Sequence, residues 1–410
     1  MSAGPAMGGS SERSRSWPER LSWSPGSGAD PAGWPQVWRG PAALAVALVV
    51  GLRVAYGLAA ALFATGRLHP ENLIASAPLS ASPLISPWQR FDALWYQSIA
   101  VHGYAAKPPG SAAFLPLYPL LEGAAGRLVG GAALGGLLVS SAALIAALIL
   151  LARFAEPIIG RRAAACAVVL VAVAPTAVFL FAGYTESLFL LLVLAVYLLA
   201  RGGRLGWAGL AAGIAVLTRD QGLFLAPALL AGIWFGPARP RGAGAWAAAV
   251  LRTCAPSVVA AGAIVGAWEW MGQGLGPWSS EALWGARASA PWTTLADSFR
   301  VAIQGGHAEE LLNLAAVAAM VVTLPWVWRR AGAGPGVFQL LSLLVIVVHE
   351  NDITPLTSAD RYILALPGVF LAVAAFLDRR PSWLRWLVAA VSLAAAVYVL
   401  GRFVAFHFVG

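Results

Sequence analysis

From residue 41 onward the sequence runs as a succession of apolar stretches, each 12 to 25 residues long, separated by connections that carry arginine or acid. They lie at 41–64, 131–152, 163–182, 186–200, 206–217, 222–235, 247–271, 308–328, 336–349, 361–377 and 383–403. A helix needs about 20 apolar residues to cross a bilayer, and shorter ones survive where neighbours cover their ends. Over the 410 residues 59% are hydrophobic and 11% charged, against about 25% charged in a soluble domain. So much apolar surface cannot be hidden in one soluble core. A soluble enzyme, a disordered chain and a secreted disulfide scaffold are excluded. An all-α polytopic membrane protein remains, and Cys166 and Cys254, in or beside apolar stretches, read as small core residues.

Residues 1–38 are rich in Ser, Gly, Pro and Arg without apolar periodicity, and read as a disordered cytoplasmic tail. The first apolar run starts too far in for a signal peptide, so 41–64 is expected to be an uncleaved anchor. Two polar, aromatic segments interrupt the pattern, 66–112 and 272–306. The net charge of +9 comes almost wholly from arginine, with Lys107 the single lysine. The arginines sit in small clusters between apolar runs rather than in one patch, the mark of membrane topology and not of nucleic-acid binding.

Those clusters assign the sides. Alternate connections carry Arg153, Arg161 and Arg162; Arg201 and Arg204; Arg239, Arg241 and Arg252; Arg329 and Arg330; Arg379, Arg380 and Arg385. The intervening ones carry Asp92, Glu186, Asp220, Glu281, Asp297, Glu309, Glu310, Glu350, Asp352 and Asp360. Short arginine loops stay in the cytoplasm, which puts the acidic side and the 66–112 loop outside. The alternation holds only if 113–129, with Pro116, Pro119, Glu122 and Arg127, is interfacial or re-entrant. About eleven spans follow in a plasma-membrane protein, N-terminus inside and C-terminus outside. Carboxylates near a bilayer are costly unless they serve a hydrated site, so a polar chamber is expected at the outer face.

The densest polar group is in the first outer loop: Trp88-Gln89-Arg90-Phe91-Asp92-Ala93-Leu94-Trp95-Tyr96, then Ile99-Ala100-Val101-His102-Gly103-Tyr104. On a helix Asp92 and Tyr96 share a face. Spacing leaves two readings open. Asp92 is a general base, or Arg90 and Asp92 form an interfacial ion pair within an aromatic belt.

This run, with Ala113-Phe114-x-Pro116-x-x-Pro119-Leu120 after it, resembles the first luminal loop of the PIG-V family, which comprises GPI mannosyltransferase II and its bacterial relatives. Tyr184-Thr185-Glu186-Ser187-Leu188-Phe189 resembles that family's Tyr-(Ser/Thr)-Glu-Ser stretch, and Leu217-Thr218-Arg219-x-x-Gly222 its Thr-Arg segment. Ser358-x-x-Arg361-Tyr362 is a weaker match before a late span. The likeness covers about 86–227 in order and a patch near 358–377, all on the predicted outer face.

The resemblance implies a GT-C-like bundle with a large first extracytoplasmic loop. It implies an inverting glycosyltransferase, mannosyltransferase by default, that takes a hexose from a polyprenyl-phosphate sugar donor in the membrane lipid. The acceptor is a lipid, glycan or protein. Asp92 then corresponds to the catalytic base. Arg219, Arg361 and Arg90 become candidates for the donor phosphate, which guanidinium groups match with paired hydrogen bonds; each has the alternative of a structural ion pair with Asp220, Asp360 or Asp92. Glu186 either caps a helix, contacts a sugar or acceptor hydroxyl, or supports the base. Tyr184 stacks on a sugar ring or anchors at the interface. His102 shuttles a proton, binds phosphate or orients Asp92, and Tyr96 and Tyr104 complete the expected lining.

No cofactor is expected. His349, Glu350 and Asp352 form a small cluster that a divalent metal would suit, a reading not favoured on composition alone. No phosphate-binding glycine loop is present. Two other classes compete: a transporter or flippase of lipid-linked sugars, which would place charge midway along broken helices and often shows inverted repeats, and a non-catalytic scaffold. No repeat is found, and a GT-C enzyme for a sugar other than mannose is the nearest alternative.

Overall fold

The computed structural model describes residues 40–64, 79–104, 111–236, 239–272, 285–304, 308–351, 354–356 and 358–407. The tail 1–38, Lys107 and Asp352 lie outside them. The described chain is helical apart from one pair of three-residue strands.

The helices are α1 (Pro41–Phe63), α2 (Asp92–His102), α3 (Leu117–Val129), α4 (Ala132–Ile159), α5 (Arg161–Ala172), α6 (Glu186–Arg201), α7 (Leu205–Val216), α8 (Leu225–Trp234), α9 (Ala243–Trp270), α10 (Pro291–Gln304), α11 (Ala308–Trp326), α12 (Ala333–Val348), α13 (Pro367–Asp378) and α14 (Ser382–Val404). Five are long and apolar enough to cross a membrane: α1, α4, α9, α14 and the stretch Glu309–Ala331 that contains most of α11. A sixth would be the turn at Ala359–Ala365 with α13, bent by 81°. The remaining apolar helices hold 10 to 16 residues, about 15–24 Å at 1.5 Å per residue.

The sequence pattern predicts about eleven spans; length and composition alone pick out five or six among the described residues, and the shorter apolar helices depend on their neighbours. A helix surrounded by other helices can be shorter than the bilayer is thick, because protein rather than lipid meets its terminal N–H and C=O groups. α6 is such a helix, packed against α4 and α7 with Leu190, Val193, Leu194 and Val196 fully buried. The run 163–182 is broken for a second reason. α5 stops at Ala172, and the chain turns through Pro175 into a single helical turn, Val178–Phe181, since proline cannot continue the hydrogen-bond ladder.

α3 has 13 residues, about 20 Å, shorter than a span. It doubles back on α4 through Gly130-Gly131, where Gly130 takes φ +89°. The two helices touch backbone to backbone: a Cβ added at Gly135 would lie 2.5 Å from the Glu122 carbonyl oxygen and from the Gly126 nitrogen.

Two ends of the bundle are chemically distinct. At one, Arg201 from the last turn of α6 donates to the carbonyls of Phe154 (3.1 Å) and Ala331 (3.2 Å). Nearby in the fold, Arg162 and Arg385 both bind Asp378 at the end of α13, at 2.7 and 3.2 Å. The arginine connections thus converge on one end. The first residues of α2 and α6 lie at the other.

In the second polar segment, β1 (Ala286–Ala288) pairs antiparallel with β2 (His349–Asn351). Arg287 faces Glu350 across the ladder and binds it at 2.8 Å.

The close approach of α3 and α4 generates a paired expectation. Gly135→Ala must push two backbones apart and should destabilise the protein by about 1–3 kcal/mol, the usual cost of overpacking. Gly57→Ala in α1, where a Cβ meets nothing within 4 Å, should leave stability unchanged or slightly raised. Apparent unfolding temperatures in detergent compare the two.

Candidate active site

Four segments far apart in sequence meet at the end opposite the arginine cluster. The first is the start of α2. Phe91, immediately before it, takes φ 48° and ψ −122°, a backbone conformation that costs a non-glycine residue about 1–3 kcal/mol unless its surroundings enforce it. They do. The Phe91 ring lies 5.8 Å from that of Phe403 and 5.7 Å from that of Phe406. Beneath it Arg90 is fully buried, donating from Nε to the Val404 carbonyl (2.8 Å) and from Nη1 to those of Ser86 (2.7 Å) and Gln89 (3.1 Å). Its guanidinium sits 4.3 Å from the Phe406 ring. Burial lowers its pKa to about 10, so it stays a cation at neutral pH. Arg90 therefore fastens the Asp92 loop to the end of α14, with its Nε and Nη1 donors committed to carbonyl groups.

The second segment is Tyr184-Thr185-Glu186 at the N-terminus of α6. The third is Arg219, held in extended backbone between α7 and the short 3₁₀ turn Asp220–Phe224. The fourth is Arg361, in the single helical turn Ala359–Tyr362 that follows Ser358 in the left-handed region at φ 64°.

Their side chains interlock. Glu186 Oε1 accepts from Arg219 Nη1 at 2.7 Å and from Arg361 Nε and Nη2 at 2.9 and 2.8 Å. Arg361 Nη2 also donates to Asp92 Oδ2 at 2.9 Å. Arg219 Nη1 reaches Thr185 Oγ1 at 3.3 Å. The Glu186 side chain is 2% exposed, those of Arg361 and Arg219 10% and 12%, and that of Asp92 28%. The cluster thus opens outward at Asp92. Burial alone would make Arg219 easier to deprotonate, but the Glu186 carboxylate together with Tyr362 and Tyr96 holds its pKa above the ordinary arginine value.

Aromatic rings support the cations from below. The Arg361 guanidinium lies 4.6 Å from the Phe179 ring and 5.1 Å from that of Tyr184, and Arg219 lies 5.2 Å from that of Tyr362. Tyr184 is buried, and its hydroxyl donates to the Arg90 carbonyl at 3.2 Å. It is a platform under Arg361 and not a ring open to a sugar. Tyr96 is buried beside it, one helical turn from Asp92. Burial, with the Asp92 and Glu186 anions nearby, pushes its phenol well above the usual range and keeps it neutral.

The remaining expected residues stand apart. His102 is exposed at the far end of α2, about 15 Å along the helix from Asp92. Tyr104 donates to the Phe114 carbonyl at 2.5 Å and packs its ring 4.6 Å from that of Trp268, tying the loop to α9. Asp220 accepts from the Gln221 amide at 2.8 Å and does not join the cluster. Glu186, buried with its Oε2 unpartnered, organises the arginines rather than presenting an oxygen to a sugar. Glu350 is engaged by Arg287, and among the described residues no group of three or more His, Cys, Asp or Glu side chains is gathered for a metal.

A supporting layer escaped the sequence reading. Asn313 Oδ1 accepts from the Asp360 amide (3.1 Å), Glu310 Oε1 from the Leu356 amide (3.1 Å), and Thr176 Oγ1 donates to the Asp360 carbonyl (2.7 Å). These bonds fix the turn that carries Arg361. The available signal was a carboxylate and an amide inside the apolar run of α11, where polar groups are expensive.

No known family model matches the sequence, and no curated protein does. Among solved structures the chain is similar to ArnT from Cupriavidus metallidurans bound to undecaprenyl phosphate, with 16% identity and a TM-score of 0.49 over 84% of this chain and 63% of that one. It is also similar to the Archaeoglobus fulgidus oligosaccharyltransferase AglB in complex with an inhibitory peptide and a dolichol-phosphate, with 14% identity and a TM-score of 0.41 over 88% of this chain and 56% of that one. The chain thus spans less than two thirds of the length of either.

Glu186→Gln would leave Arg219 and Arg361 buried side by side without their counter-charge. It should destabilise the protein by about 3–5 kcal/mol, as removal of one partner from a buried ion pair does. Asp220→Asn should change stability by less than about 0.5 kcal/mol. The yield of folded protein and the unfolding temperature in detergent test both.

Proposed function

We propose that the protein is an inverting GT-C glycosyltransferase that moves a hexose, mannose by the PIG-V resemblance, from a polyprenyl-phosphate donor to an acceptor hydroxyl at the extracytoplasmic face. The observation that carries this reading is the Asp92–Arg361–Glu186–Arg219 cluster. It joins the four segments that the resemblance singled out, and its open side is the proposed base. A cluster gathered at helix ends favours transfer over transport of the lipid-linked sugar.

In this mechanism the acceptor hydroxyl lies against Asp92 and loses its proton to the carboxylate as its oxygen bonds to the anomeric carbon. The bond from that carbon to the donor phosphate breaks on the opposite face. Its electron pair leaves with the phosphate, whose growing charge the two guanidiniums stabilise. Glu186 holds both cations at one spacing, so the site needs little rearrangement when that charge appears.

Arg361 has a second part. While it hydrogen-bonds Asp92 it occupies Oδ2, the oxygen that would take the acceptor proton. An incoming phosphate competes for the same Nη2 and frees that oxygen of Asp92 for the acceptor hydroxyl when the donor is bound. The acceptor, whether lipid, glycan or protein, is selected outside this cluster.

Transfer from labelled polyprenyl-phosphate mannose in membranes should fall about 10²–10⁴-fold in Asp92→Asn at equal abundance, the usual contribution of a positioned base. Equal transfer by both proteins would remove Asp92 from the chemistry. Arg361→Gln should raise the donor KM and lower kcat. Arg90→Gln should reduce stability while leaving the donor KM of the folded fraction unchanged.

A further inference from the structure

At the arginine end, away from Asp92, three helix ends frame a surface hollow. Ile158 and Ile159 at the end of α4 form one wall, Trp326 and Arg330 after α11 a second, and Asp378 and Arg379 at the end of α13 the third. Neither the sequence motifs nor the transfer mechanism uses these residues.

The charges there do not balance. Asp378 is the one acid in the lining, and it is already engaged: its Oδ1 accepts from Arg162 Nε at 2.7 Å and Arg385 Nη1 at 3.2 Å, and its carbonyl accepts from Arg162 Nη2 at 3.1 Å. Arg330 and Arg379 have no carboxylate partner among the described residues. Four guanidiniums therefore surround one carboxylate, and the two unpaired ones line the hollow.

Local structure turns Arg330 toward it. α11 ends at Pro325-Trp326, and the chain continues through a wide π-helical turn, Val327–Ala331, before Gly332 at φ +111° reverses it. Such turns interrupt an ordinary helix at some cost and recur at functional sites. Arg201 fastens the turn by its bond to the Ala331 carbonyl.

Exposed aromatic side chains around these helix ends point to a lipid boundary there. Phe376, Trp328, Trp383 and Trp386 near the hollow are exposed by 55%, 37%, 62% and 62%, and large aromatic side chains at helix ends collect where headgroups meet hydrocarbon. A soluble anion would have no use for the isoleucine wall and the tryptophan ring. A phosphodiester with acyl chains attached matches both the cations and the apolar side.

We propose that this hollow binds the headgroup of an anionic glycerophospholipid, with Arg330 and Arg379 on the phosphate and the acyl chains along Ile158, Ile159 and Trp326. The site is separate from the transferase reading and stands or falls without it.

The test uses the full chain purified in a neutral detergent, with phosphatidylglycerol, phosphatidylcholine or glycerol phosphate added. Native mass spectrometry counts retained lipid, and thermal unfolding gives the stabilisation. Wild type should retain phosphatidylglycerol over phosphatidylcholine and gain in unfolding temperature with it. Arg330→Gln combined with Arg379→Gln should lose retention about tenfold, and Arg239→Gln combined with Arg241→Gln, at arginines elsewhere, should not. If the first double variant fails to fold, Arg379→Gln alone carries the comparison. Equal retention of phosphatidylglycerol by wild type and variant would overturn the site, as would equal retention of both lipids by wild type. Stabilisation by glycerol phosphate as large as that by the lipid would overturn its lipid character.

Discussion

A carboxylate with 2% of its side chain exposed cannot stand alone in a protein of this kind, and Glu186 does not. One of its oxygens collects three N–H groups from two arginines. Removing an ion from water costs several kcal/mol, and that cost is recovered only when the partners are close and well aligned. The pairing dictates where α6 begins, where the chain leaving α7 must pass, and where the turn before α13 must sit. Asp92 is brought into the same arrangement through the outer edge of Arg361, which makes it the member that meets solvent.

The rest of the fold serves that meeting point in layers. Phe91 is held in its strained conformation by the end of α14, with Arg90 as the fastener beneath it. The Arg361 turn is held by Asn313, Glu310 and Thr176. Both devices place a charged side chain by binding the backbone next to it, which is stiffer than holding the side chain itself. The aromatic rings under Arg361 and Arg219 exclude water from below and leave one open direction. A site assembled this way keeps its two cations in place, which suits the leaving phosphate of the proposed reaction.

The two ends of the bundle divide the work. α6 shows this in one element, with Glu186 in its first turn and Arg201 in its last. Acid at a helix N-terminus and base at its C-terminus also suit the helix dipole, so the same residues that set sidedness contribute to helix stability. The arginine end gathers its helix termini through carbonyl bonds and the Arg162–Asp378–Arg385 bridge. It has cations to spare, which is why a lipid phosphate fits there.

Much of this was legible in the chain itself. Apolar runs interrupted by arginine or acid, with 11% charged residues overall, leave no architecture but membrane helices, because nothing else buries so much apolar surface and satisfies its own backbone. Asp92, Glu186, Arg219 and Arg361 could be singled out from their motifs. What only the tertiary structure decided was which charges meet. Arg90 and Arg361 are both arginines beside or near an aspartate in sequence, yet one is sealed under Phe406 against carbonyl groups and the other bridges two carboxylates, one of them 269 residues away. Local sequence sets the propensity to form a helix and the cost of burying a charge. The partner that removes that cost comes from a distant segment, and its identity is settled by packing.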